Sequence, residues 1–218
     1  MTGYAFDFHG LRLVARGSGA LWWPEARWLI VADLHLGKSE RLARRGGPLL
    51  PPYEGLATLE RLADEIGLLN PGVVVSLGDG FDDLAAARAL DGAVLARLIQ
   101  LAQGRDWLWL QGNHDPGAPE GLPGRTMADL RIGPVWLRHE AGQGPDISGH
   151  FHPVVRLAGE RRRAFLLGRD HLLLPAFGAY TGGLAHDAPA LTDLVPQGLA
   201  IACGPRALAL PIGARRRT

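Results

Sequence analysis

An α/β domain with two sheet layers flanked by helices is the fold class that this chain predicts, and three observations carry it. Three short apolar runs, residues 28–32, 73–77 and 107–110, alternate with amphipathic stretches, the pattern of a parallel sheet with helices on its faces. After Gly133 the pattern changes to short extended segments that form an antiparallel or mixed second layer. Hydrophobic residues make up 47% of the chain and charged residues 21%, which excludes disorder as the organising theme. A chain of 218 residues buries roughly 70% of its unfolded surface, and no repeat, linker or compositional shift divides it, so residues 1–218 are expected to form a single domain.

Taken in order, Trp28-Leu29-Ile30-Val31-Ala32 is β-branched and aromatic and ends in a polar turn, as a buried strand does. Residues 53–66 come next as a helix, with Leu56, Leu59, Leu62, Ala63 and Ile66 on one face. Asn70-Pro71-Gly72 stops that helix and hands over to the strand Val73–Leu77. Residues 84–103 form the second helix and Trp107–Leu110 the third strand, with Trp107 and Trp109 in the core. The later segments are residues 135–138, 154–157, 164–167, 172–174 and 206–210, and a tail over 211–218 is expected to fray.

Composition narrows the function classes. Net charge is +1, so no bulk field draws the protein to nucleic acid or membrane, and any such binding is local. Cys203 is the one cysteine, which excludes an internal disulfide and a multi-cysteine zinc site. No stretch approaches 18 uninterrupted apolar residues, so no transmembrane helix is expected, and without an export signal a cytoplasmic home is the default.

The residues suited to chemistry cluster just past the strand ends. The first strand runs into Asp33-Leu34-His35, whose outer residues, two apart on an extended chain, point the same way. The second ends in Gly78-Asp79, with Asp82 and Asp83 behind it, and the third in Gly112-Asn113-His114-Asp115. Residues 135–138 end in His139, and the next segment ends in Gly149-His150-Phe151-His152. Ligands in open α/β sheets bind at the carboxyl ends of strands, so these residues converge on one rim. Each piece alone is an ordinary turn or cap. Together they take five of the eight histidines and one of the two asparagines, which chance does not readily supply.

That set resembles the calcineurin-like metallophosphoesterases, whose pattern runs Asp-x-His, Gly-Asp-x-x-Asp, Gly-Asn-His-Asp/Glu, His, Gly-His-x-His. More narrowly it resembles the bacterial DNA-ligase-associated metallophosphoesterases, through residues 32–38, 112–116, 138–140, 149–153 and 175–183. Asp82 fits the wider pattern, where the narrower group carries His. The resemblance implies a four-layer sandwich, two mixed β-sheets flanked by α-helices. It implies that Asp33, His35 and His152 hold one divalent metal, that Asn113, His139 and His150 hold a second, and that Asp79 bridges them. Imidazole, carboxylate and amide oxygen without thiolate suit Mn²⁺, Fe, Ni or Zn²⁺, with Mn²⁺ the first choice. Two such ions activate a bridging hydroxide for in-line attack on phosphorus, while His114 assists the leaving group and Asp82 or Asp115 orients that imidazole. Asp115 is equally readable as a turn carboxylate.

The implied activity is a DNA phosphodiesterase, a nuclease working in repair on single-stranded or damaged DNA beside a DNA ligase, a helicase and a second nuclease. A hydrolase of small nucleotides shares every ligand and is the rival; a non-catalytic metal-binding scaffold is the second. Lys38, Arg41, Arg44 and Arg45 are the candidate backbone contacts, set against a solvated helix face. Tyr180 and Thr181 are candidate crevice residues, set against a glycine-rich turn. Arg161-Arg162-Arg163 reads first as a charged hairpin, and His9, His171 and His186 as structural residues.

Overall fold

The computed structural model describes residues 3–47, 53–115 and 121–213. The first seven strands, β1 (Gly3–Phe8), β2 (Leu11–Arg16), β3 (Leu21–Trp23), β4 (Trp28–Val31), β5 (Val73–Ser76), β6 (Asp106–Leu110) and β7 (Arg125–Met127), form one sheet in sequence order. Neighbours from β1 to β4 are antiparallel, and those from β4 to β7 are parallel. Helices α1 (Lys38–Arg44) and α2 (Glu54–Leu69) connect β4 to β5. Helices α3 (Leu84–Arg88) and α4 (Gly92–Ala102) connect β5 to β6. The single helix expected over 84–103 is therefore two. Asp91 stands in a non-helical conformation, and its carboxylate accepts from the Ala93 N–H at 2.8 Å, so a new helix starts where the first stops.

The second sheet is built from β8 (Leu130–Ile132), β9 (Val135–Arg138), β10 (Asp146–Ser148), β11 (Val154–Leu157), β12 (Glu160–Leu167), β13 (His171–Leu173), β14 (Gly198–Ala202) and β15 (Leu208–Ile212), with α5 (Pro189–Leu194) before β14. Here β10 is parallel to both β9 and β13, and the remaining pairs are antiparallel. Pro211 and Ile212, expected in the frayed tail, pair with β14, and residues 214–218 lie outside those described.

Strand alternation sorts the side chains into layers. Ile30, Val75, Leu108, Leu110, Leu137, Ile147, Phe165 and Ile201 fill the core between the sheets. Their neighbours one residue away, Leu29, Val74, Trp107 and Trp109, pack on the opposite face against Leu59, Leu62, Val94 and Leu98 of α2 and α4. On the outside of the second sheet, Ala164 and Leu166 meet Leu191 of α5. Helices, sheet, sheet and helix make the four-layer arrangement, with two mixed sheets and flanking helices as expected. Its consequence for the site is directional. The parallel strands β4, β5 and β6 end at the edge where β9, β10 and β13 also end, and a bridge from Ala32 to Ala176 ties the two rims together.

Candidate metal centre

Every ligand-type residue expected at the rim sits at the end of one of these strands. Asp33 is completely buried, and its carboxylate accepts from the His150 N–H at 3.0 Å while Oδ1 stands 3.3 Å from His152 Nε2. His35 Nε2 lies 3.4 Å from His152 Nε2, so Asp33, His35 and His152 converge on one point. Asp79 Oδ2 lies between the two halves of the site, 4.0 Å from His35 Nε2 and 3.4 Å from His139 Nε2. On the other side, Asn113 Oδ1 is 2.6 Å from His139 Nε2 and 3.2 Å from His150 Nδ1.

Two of the imidazoles are held so that one nitrogen faces inward. His139 Nδ1 lies 3.0 Å from the Leu77 carbonyl, an acceptor only, so its proton resides there and the Nε2 lone pair faces Asp79 and Asn113. His35 Nδ1 lies 2.9 Å from Asp82 Oδ1, which likewise turns Nε2 toward His152. Ring nitrogens thus face one another and carboxylate oxygens at 3.3–3.4 Å, so that a cation between them would meet several ligand atoms at once. The donor set is therefore that of a divalent-cation site without thiolate, and the residues present fit metal ions.

Local backbone geometry explains why these residue types occur here. Among the described residues, ten non-glycine positions have positive φ, and Asp33, His35, Asp79, His150 and His152 are five of them. Asp and His tolerate the left-handed region better than branched side chains, and such strain concentrates at functional sites. The glycines of the motifs are explained by close approach. A side chain at Gly112 would collide with the Asp79 backbone and carboxylate, and one at Gly149 would strike Asp33 and come within 2.7 Å of the Ala32 Cβ.

His114 is exposed beside this cluster, with its ring centre 5.6 Å from that of His35 and its N–H donating to Asp79 Oδ1 at 2.9 Å. Of the two carboxylates expected to orient it, Asp82 instead joins His35 to Arg41 Nε. Burial pushes the Asp82 carboxyl up, but His35, Arg41 and Lys38 outweigh it and hold the group below the usual carboxylate range. Asp115 accepts from the Phe81 N–H at 2.6 Å, bracing the turn that carries Asp79 and Asp82.

Three arginines of the basic run on α1 stand beside carboxylates. Arg41 is ion-paired with buried Asp82. Arg44 is 3.0 Å from Glu40 and 2.8 Å from Asp83, and Arg45 is 3.8 Å from Asp83. The reason is topological, because α3 packs on α1 and brings the carboxylates of the β5 turn against it. A cleft of about 400 Å³ beside His150 and His152 is walled by Gly182, Gly183 and Leu184. Tyr180, just ahead of that wall, is 57% exposed, and the Thr181 hydroxyl donates to the Gly178 carbonyl. His171 is 3.0 Å from Asp146, and His9 Nε2 is 2.8 Å from the Arg169 carbonyl. The Arg41–Asp82–His35 chain was not anticipated, because no local spacing links an arginine on α1 to a carboxylate 41 residues on.

No family model and no curated protein matches the chain. Among solved structures it is similar to the nuclease MPE of Pseudomonas putida, with a TM-score of 0.76 and 28% identity over 96% of this chain and 100% of that one. It also aligns with Yfce, a phosphoesterase from E. coli, at a TM-score of 0.38 and 17% identity, covering 72% of this chain and 83% of that one.

Proposed function

We propose that this chain, a metallophosphoesterase and hence a metal-dependent hydrolase, is a dinuclear phosphodiesterase that cuts DNA. The observation that carries the reading is the shared carboxylate. Asp79 Oδ2 faces His35 Nε2 on one side and His139 Nε2 on the other, within a shell of imidazole nitrogens, carboxylate oxygens and one amide oxygen. Asp33, His35 and His152 are assigned to one ion, Asn113, His139 and His150 to the other, and Asp79 to both. Mn²⁺ is the first choice, with Fe, Ni and Zn²⁺ compatible with the same donors. Divalent ions bound there supply Lewis acidity toward a phosphoryl oxygen and an activated water for in-line displacement.

The chain's own residues do the rest. Leu77 and Asp82 hold the Nδ1 protons of His139 and His35 outward, so both rings keep a lone pair on the site. Exposed His114, anchored through its N–H to Asp79, donates a proton to the leaving oxygen, a contribution typically worth 10²–10⁴-fold. A nucleic-acid substrate is favoured because the Pseudomonas putida structure similar over the full length is a nuclease, and DNA in particular follows from the sequence resemblance. Single-stranded or damaged DNA, cytoplasmic repair, and association with a DNA ligase, a helicase and a second nuclease follow from the sequence resemblance. The test is hydrolysis of a labelled single-stranded oligonucleotide and of bis-p-nitrophenyl phosphate before and after chelation. Both activities are expected to vanish with chelator and to return with Mn²⁺. Undiminished turnover in excess chelator refutes metal dependence, and turnover of bis-p-nitrophenyl phosphate without any of the oligonucleotide refutes DNA as substrate.

A further inference from the structure

The hairpin of β11 and β12 carries Arg156, Arg161, Arg162 and Arg163, with Arg156 directly across the ladder from Arg161. Like charges in that position repel, and the one carboxylate on the hairpin, Glu160, is 2.9 Å from Arg162. Arg161 donates to the carbonyl of Gly183, and Gly183 in turn packs against the carbonyl of His152. Arg163 Nη1 donates to the carbonyls of Ala176 and Phe177, the segment hydrogen-bonded to Ala32 and Asp33. One short stretch, residues 176–183, therefore separates these arginines from the metal centre.

Arg61 of α2 completes the arrangement from below. Its guanidinium lies 4.5 Å from the centre of the Phe177 ring, and its Nε and Nη2 are buried with no hydrogen-bond partner among the described residues. Of the acidic residues on α2, Glu65 is 2.8 Å from Arg16, Glu54 accepts from Ser39 and Glu60 is 2.8 Å from Arg97. Burial and the neighbouring Arg163 push Arg61 down to about 10, and burial pushes the Cys203 thiol up to about 12, so the thiol supplies no counter-charge. A cleft of about 440 Å³ opens at this point, and its charged lining residues are Arg61, Arg161, Arg162, Arg163 and Glu160.

We propose that this cleft is a phosphate-binding subsite, in which Arg61 and Arg163 hold a backbone phosphodiester of the DNA strand engaged by the metal centre. The one carboxylate in the lining, Glu160, is paired with Arg162, so the guanidiniums of Arg61 and Arg163 have no carboxylate partner of their own and match the oxygens of a phosphodiester. The inference rests on the nuclease reading for the identity of the polyanion. It moves the DNA contact from α1, where the arginines are internally paired, to the hairpin and α2.

The experiment compares the Mn²⁺-loaded parent with Arg61→Gln and Arg61→Lys. It records kcat and KM on a labelled single-stranded oligonucleotide across a salt series, with bis-p-nitrophenyl phosphate alongside. Arg61→Gln is expected to raise KM for the oligonucleotide about tenfold, the lower end for hydrogen bonds to a charged group. The ratio of kcat/KM for oligonucleotide to that for the small ester is expected to fall by the same factor. The log–log salt slope should flatten by about 0.7, one phosphate's worth on a single strand, and Arg61→Lys should recover part of the affinity. Unchanged KM and slope in Arg61→Gln overturn the subsite while leaving the nuclease reading intact. A parent that hydrolyses the small ester but neither binds nor cuts the oligonucleotide overturns the nuclease reading, and the subsite with it. A lower Tm in Arg61→Gln without a change in KM makes Arg61 a packing residue and also refutes the proposal.

Discussion

Replacing Asp82 by Asn probes the chain Arg41–Asp82–His35, which reaches the metal centre from outside. Asp82 is fully buried, with Oδ1 2.9 Å from His35 Nδ1 and Oδ2 against Arg41 Nε. Asn preserves the shape and an acceptor for the His35 proton but removes the charge. Two unit charges 4 Å apart interact by about 4 kcal/mol at an effective dielectric of 20. Breaking a buried pair costs about 3–5 kcal/mol, and Arg41, with 19% of its side chain exposed, recovers part of that in water, so about 3 kcal/mol of stability is expected to go. Loss of an outer partner of a metal-binding histidine weakens affinity about 10–100-fold, or roughly 1.4–2.7 kcal/mol. The assay is competition of Mn²⁺ and Zn²⁺ against a chromogenic chelator, with denaturant unfolding in parallel. Arg41→Gln serves as the control, because it breaks the same ion pair without touching His35. It should lose comparable stability but less metal affinity. Metal affinity in Asp82→Asn within twofold of the parent would refute the claim that Asp82 orients a metal-binding histidine.

Two further outcomes are expected from the geometry. Asp79→Asn should lower metal occupancy, since the carboxylate between His35 and His139 loses its charge, whereas His114→Ala should retain metal and lose turnover, most strongly for poor leaving groups. Elemental analysis showing equal metal loss in both variants would place His114 among the ligands. Asp83→Ala should cost about 1 kcal/mol near neutral pH, because its carboxylate accepts from the Ala86 N–H at 2.7 Å as the cap of α3. That bond first, and Arg44 after it, hold the Asp83 carboxyl below its unfolded value, so its contribution is full above about pH 4 and is lost as pH falls through the lower folded value. Unfolding curves of parent and variant that fail to converge in acid would remove the cap as the cause.

The parallel core was legible because β4, β5 and β6 are buried on both faces and so appear as continuous apolar runs. The first three strands escaped notice for the opposite reason. β1 alternates exposed and buried positions, and Asp7 and Arg12 dilute the apolar signal of a hairpin that closes at His9-Gly10. The break at Asp91-Gly92 was written in the sequence as a cap, but Ala-rich flanks on both sides conceal it. The convergence of the candidate ligands was legible because they follow strand ends in short motifs, and the ends of parallel strands share one edge. The pairing of charges was not. Whether an arginine is free or bound depends on what packs across from it, and Arg41 meets Asp82 only because α3 docks on α1. Arg163 looked like hairpin decoration, yet its Nη1 reaches two carbonyls of the segment beside Asp33.

Strain at the metal centre sets a condition that the surrounding backbone has to meet. Each non-glycine residue in the left-handed region costs roughly 1–3 kcal/mol, and five of them, Asp33, His35, Asp79, His150 and His152, stand in one site. Their sum is of the same order as the whole net stability of a domain, about 5–15 kcal/mol. The site persists because its turns hold one another. The His35 N–H donates to the Asp79 carbonyl at 3.0 Å, the Gly178 N–H to the Asp33 carbonyl at 3.0 Å, and the Gly149 N–H to the His139 carbonyl at 2.9 Å. Side-chain acceptors close the same loops, through His114 N–H on Asp79 and His150 N–H on Asp33. Asp33, His35, Asp79 and His150 cannot relax to ordinary conformations without releasing one of these partners. That mutual restraint keeps acceptor atoms facing one another at contact distance, and in that geometry a divalent cation gains most by entering.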